Sequence, residues 1–232
     1  IVIGGVELPN RSGRTAHGTR FGGGTMTETL IDYHALRAEG GVGLSILEIM
    51  SVHPTSPSGL NGFDPRIGDG YTRLLQRVRP HGMKLFQQLW HGGHHTPPLD
   101  GSPPWSASDV PSPRLGVVPV PMTQSMIDEV VAAFVRTARL CRSLGLDGIE
   151  IHAAHGYLIH QFLSPATNLR TDEYGGSLEN RMRLLLEVMT AVRAAVSVPG
   201  FAVGVRLAPD MSPGGWDASA VLQAAQIGRA HV

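Results

Sequence analysis

The stretch SMIDEVVAAFVRTARLCRSLGLDGIEIH, residues 125–152, decides the fold. Met126, Val130, Val131, Phe134, Ala138 and Cys141 recur at steps of three and four residues, which predicts a long amphipathic helix over Ser125–Leu144. Gly145 stops that helix, and Asp147–His152 (DGIEIH) then reads as a short apolar strand. The same grammar repeats on either side. A first strand is expected near Arg11–Ala16. Helix Met26–Ala38, capped by Thr27 with Glu28 in its first turn, ends at Gly40-Gly41 and leads into strand Val42–Met50. Helix Tyr71–Arg79 stops at Gly82 ahead of strand Lys84–Trp90. Helix Ser177–Val196 precedes strand Phe201–Leu207, and Asp217 starts one more helix. The tail Ile227–Val232 has no clear element character.

Strands alternating with helices predict βαβ units and a parallel sheet. No Gly-x-Gly-x-x-Gly follows the first strand, which argues against a dinucleotide-binding Rossmann sheet. The expected class is α/β, with a TIM (β/α)8 barrel of which residues 1–232 hold about the first five units as one partial domain preferred over a different, smaller sheet. The segment Gly92–Met122 carries eight prolines and is expected to be a long structureless loop at the active end of the third strand.

Composition narrows the function. Nineteen basic residues balance nineteen acidic ones, so no basic field is available for nucleic acid or an anionic membrane. Cys141 is the single cysteine, which excludes a disulfide framework and any multi-cysteine metal or iron–sulfur site within these residues. The expectation is a soluble, cytoplasmic protein; the sequence leaves self-association open.

Four polar features interrupt the apolar pattern. His152-Ala-Ala-His155-Gly-Tyr157 closes a predicted strand, where barrel chemistry gathers. Metal binding by His152 and His155 is the competing reading, a metal-dependent barrel hydrolase that uses them with a carboxylate, but no Asp or Glu stands among them and Glu150 precedes on the strand. Gln88 shares a strand face with Phe86 and Trp90; it either meets a heterocycle or is satisfied by backbone. Arg206 ends the fifth strand and needs an anion, a polar ring edge or an ion pair with Glu150. Asn168–Arg181, with Ser177 as a helix cap, reads as scaffold. A non-catalytic truncated barrel is the third reading.

The run HAAHGYLIHQFLSPATNLRTDEYGGSLENR, from His152 to Arg181, closely resembles the signature of the old yellow enzyme family of flavin oxidoreductases. Leu8-Pro-Asn10-Arg11, Gly41-Val-Gly-Leu before Glu48, Gln88-Leu-Trp-His91 and Val205-Arg206 extend the likeness along the chain. The resemblance implies a TIM barrel that holds FMN and passes hydride from NADH or NADPH to the C=C bond of an α,β-unsaturated carbonyl (enone or enoyl) substrate. It implies flavin contacts at Thr15, Ala16, His17, Gly18, Ile49, Gln88 and Arg206. His152 and His155 would hold the substrate carbonyl, Tyr157 would be the proton donor, and no metal ion is implied. Three departures stand out. Ser12-Gly13-Arg14 replaces the usual apolar first strand, and Gly18 replaces the usual Cys or Thr. The last three units, whose loops hold the FMN phosphate in the family, lie outside these residues, so the isolated 232 residues are expected to bind FMN weakly. Some long relatives carry a 4Fe-4S cluster beyond the barrel, a region this sequence does not contain.

Overall fold

The fold was obtained as a computed structural model, which describes residues 1–210 and 213–231. Five parallel strands run in the order of the chain: β1 (Gly13–Arg14), β2 (Leu44–Ser51), β3 (Lys84–Trp90), β4 (Gly148–Ala153) and β5 (Ala202–Leu207). Helices α1 (Glu28–Glu39), α2 (Ile67–Val78), α3 (Gln124–Ser143), α4 (Leu178–Val196) and α5 (Ala218–His231) follow the five strands in turn. This is the βα repeat of a TIM barrel carried through about five units, as the alternation predicts.

Local chemistry accounts for the boundaries. The Thr27 hydroxyl accepts the N–H of Leu30, and Ser177 accepts that of Asn180, so both predicted caps form. Gly41, Gly82 and Gly145 lie at positive φ where α1, the turn after α2 and α3 end, a conformation that costs glycine little. Thr123 caps α3, which starts at Gln124, one residue before the expected start.

Four expectations are corrected. The first strand pairs over Gly13–Arg14 alone, because the polar Ser12-Gly13-Arg14 sequence offers little to bury. The tail is helical: α5 runs on to His231, with the Ala220 N–H bonded to the Asp217 carboxylate at its start. The proline-rich segment is ordered by pairing of Trp105–Ser106 with Val120–Pro121. Arg170 ties its middle and its end down, donating to the carbonyls of Ala107 and Met122 at 3.0 and 2.8 Å. The short helix Leu158–Leu163, which carried no predicted element, packs directly behind the β4 turn.

Strands β2, β3 and β4 are buried on both faces, so they read as nearly continuous apolar runs. Leu47, Met50, Leu85, Leu89, Ile149 and Ile151 pack outward against the helices. The inner face begins with a layer in which Phe86 pairs with Gly148 and Gly148 with Ala202. Leu44 of β2 belongs to this layer, and the hairpin Val2–Ile3 and Val6–Glu7 brings Val6 and Leu8 against it. Above it, toward the C-terminal strand ends, the inner face turns polar. No helix among the described residues is long and apolar enough to cross a membrane.

Candidate active site

A cleft of about 290 Å³ opens at the C-terminal ends of the strands. Ala16, His17, Gly18, Ile49, Gln88, His152, His155, Tyr157 and Arg206 line it. Every residue named from the sequence as a site candidate is therefore in one place, except Thr15, which is exposed and outside the lining. A larger groove of about 870 Å³ runs along α3 and α4 on the outer surface, but its lining of aliphatic and charged residues offers no imidazole, phenol or thiol.

Each wall has a structural cause. The register of β2 against β3 shifts between Leu47 and Met50, and this bulge brings Ile49 to the cleft while Leu47 and Met50 stay in the outer core. Glu48, within the bulge, is buried and accepts the Thr19 N–H at 2.7 Å and the Thr19 hydroxyl, which pins the segment holding Ala16, His17 and Gly18. Parallel register sets Arg206 beside His152 on neighbouring strands. A chain reversal then follows β4: the Tyr157 N–H bonds to the Ala154 carbonyl, and His155 and Gly156 both lie at positive φ, 60° and 75°.

Three rings meet at that reversal. His152 lies edge-on to His155 and to Tyr157, each at 5.1 Å between centroids. Trp90 packs edge-on to Tyr157 from β3 at 5.2 Å. Burial, then the charges of His155 and Arg206, push the His152 imidazole down to about 3. Burial and Arg206 lower His155 as well. His152 Nδ1 accepts the Ala154 N–H at 3.3 Å, which leaves its proton on Nε2. His160 faces away: its Nδ1 accepts the Gly156 N–H, and its ring packs on Trp216.

Gln88 is not satisfied by backbone. Its Nε2 donates to Glu150 Oε1 at 2.6 Å. The backbone-satisfied glutamine is its neighbour Gln87, which donates to the carbonyls of Glu48 and Gln88. Arg206 does face Glu150, but at 3.9 Å, beyond a hydrogen bond. Among the described residues its guanidinium meets no hydrogen-bond acceptor, so its donors are free for a ligand. The Asn168–Arg181 segment is scaffold: the Asn168 amide ties Phe162 to Tyr174, and Arg181 holds the Leu163 carbonyl. Among the described residues no three His, Cys, Asp or Glu side chains are grouped so that they could hold an ion, so the metal reading finds no support.

Trp90 and Glu150 stand just outside the lining, Trp90 against the Tyr157 ring and Glu150 against the Gln88 amide, and the sequence marked neither as a site residue. Strand alternation already places Trp90 on the Gln88 face, but only register brings Glu150 opposite Gln88.

The arrangement gathers a cation, an amide, two neutral imidazoles and a phenol around one cleft, with the His152 strand between those that carry Gln88 and Arg206. The NADH oxidase of Thermoanaerobacter brockii is 42% identical over 181 residues, covering 75% of this chain and 28% of that protein. The NADPH dehydrogenase of Halalkalibacterium halodurans is 39% identical over 206 residues, covering 86% of this chain and 60% of its own length. The solved structure of an old yellow enzyme homologue from Zymomonas mobilis superposes with a TM-score of 0.87 at 29% identity, over all of this chain and 69% of that one. This chain thus spans between about a quarter and three-fifths of those two curated relatives. The model of the NADH:flavin oxidoreductase / NADH oxidase family matches residues 1–226, and the chain belongs to that family.

Proposed function

We propose that these residues form the flavin-bearing part of an FMN-dependent ene-reductase, acting in the cytoplasm on the C=C bond of small α,β-unsaturated carbonyl compounds. The observation that carries this reading is the cleft itself, where Gln88 and Arg206 lie with His152, His155 and Tyr157 around one volume of about 290 Å³. Residues 1–232 act in it as a single partial barrel domain.

The residues fit a flavin. Arg206 has unengaged donors for an electron-rich ring edge, and the Gln88 amide keeps its oxygen for a ring N–H once its nitrogen is held by Glu150. Ile49 and the backbone of Ala16 to Gly18 offer apolar surface; a Cβ placed on Gly18 would meet nothing within 4 Å, so the ring has room there. Thr15 would contribute through its backbone. Bound FMN supplies the two-electron carrier between NADH or NADPH and the substrate.

The remaining chemistry belongs to side chains. His152 and His155 donate N–H groups to the substrate carbonyl oxygen, where negative charge grows as the β-carbon is reduced. Such preplaced donors contribute several kcal/mol when water is excluded. Tyr157 delivers a proton to the α-carbon. Zero net charge supports a small-molecule substrate over a nucleic acid.

The test is direct. The complete protein should purify with a flavin absorbance band, lose it anaerobically with NADH or NADPH, and regain it with cyclohexenone. Absence of bound flavin after reconstitution, or reduced flavin that cyclohexenone leaves unchanged, would overturn the reading.

A further inference from the structure

Glu150 lines no part of the cleft, yet it touches both residues at the flavin's expected polar edge. Its Oε1 accepts the Gln88 amide N–H at 2.6 Å and stands 3.9 Å from Arg206 Nη1. Its side chain is 13% exposed. The position follows from register. Glu150 pairs across β4–β3 with Gln88 and across β4–β5 with Gly204. Gly204 has no side chain to compete for the space, and Arg206 lies two residues further along the same strand.

A buried carboxylate is costly unless donors and charge meet it. Here the available donor is an amide that the cleft also needs. A carboxylate accepts only, so the amide must turn its nitrogen inward and its oxygen outward. The same charge opposes part of the Arg206 field at the cleft edge.

Resting on the flavin reading above, we propose that Glu150 is a positioning residue: it orients the Gln88 amide toward the cofactor and, by offsetting the Arg206 charge, sets the reduction potential of bound flavin. Reduction adds negative charge to the pyrimidine side of the ring. Arg206 favours that charge and Glu150 disfavours it. Glu150→Gln keeps the side chain's size and removes its charge, leaving Arg206 unopposed.

The test measures midpoint potentials and FMN dissociation constants on the complete, FMN-loaded protein. Glu150→Gln should bind reduced over oxidised FMN at least tenfold more selectively than wild type, a rise of about 30 mV for a two-electron couple. Glu150→Asp keeps the charge but falls short of Gln88. Its potential should stay near wild type while its FMN dissociation constant rises at least fivefold. A Glu150→Gln selectivity within twofold of wild type overturns the charge role. A Glu150→Asp dissociation constant equal to wild type overturns the orienting role, and stands as a test even if Glu150→Gln fails to fold. If wild type holds no FMN, the cleft reading fails, and Glu150's role with it; if wild type loads normally and the variants match it, only Glu150's role fails.

Discussion

The backbone N–H of Ala154 points at Nδ1 of His152, 3.3 Å away, and so selects the tautomer that carries its proton on Nε2. Burial holds this ring neutral down to about pH 3. The donor that His152 offers a substrate should therefore not titrate near neutrality. Enone binding to the oxidised protein, followed by flavin spectral perturbation, is expected to show no inflection near pH 6.5 from this residue. An inflection there that disappears in His152→Ala would place a protonated imidazole in the cleft instead.

The same neutrality links to stability. His34, His91 and His152 are all lowered from 6.5 to about 3, chiefly by burial. Between those values the unfolded chain binds protons that the folded chain refuses, so stability falls as pH falls. Each fully shifted histidine contributes up to about 1.4 kcal/mol per pH unit across that window. Urea midpoints should drop steadily from pH 6.5 toward pH 4. Replacing buried His34 with Gln should flatten the slope; an unchanged slope would count against its burial in the neutral form.

Tyr157→Phe keeps the ring that packs on Trp90 and His152 but removes the phenol proton. Reduction of flavin by NAD(P)H should be nearly unchanged, while re-oxidation by an enone slows by about 10²- to 10⁴-fold. Stopped-flow separation of the two half-reactions checks this. A re-oxidation rate within about twofold of wild type would assign the proton to another donor.

His155 holds a φ of 60°, which a side chain tolerates poorly. Asn accepts this conformation and still offers an N–H; Ala does neither. His155→Asn should keep folding and most enone affinity. His155→Ala should lose about 1 kcal/mol of stability and weaken enone binding. Equal behaviour of the two variants in thermal melts and enone titrations would remove His155 from the substrate site.

Gly148 sits in the innermost layer of the sheet. A Cβ there would come within 2.7 Å of the Ala202 carbonyl oxygen and 2.9 Å of the Phe86 ring. Gly148→Ala should cost about 1–3 kcal/mol through overpacking, seen as a lower denaturation midpoint. Gly18→Ala, with open space around it, should cost far less.

Much of this molecule is determined by the sequence alone, because its cues are local. Helical periodicity in Ser125–Leu144, the caps at Thr27 and Ser177 and the stops at Gly41, Gly82 and Gly145 act within a few residues, and the elements form close to where they place them. The His152–Arg181 run likewise carries the family likeness in its residues alone. The tertiary structure decided what depends on register and on distant packing. The β2 bulge brings Ile49 to the cleft, the proline-rich segment is ordered by Arg170 nearly fifty residues beyond its last proline, and the pairing of β3, β4 and β5 joins Gln88, Glu150 and Arg206. A shift of one residue in any of those strand pairs would turn the same side chains to the opposite face. No local pattern sets that shift; the packing of two buried faces at once does.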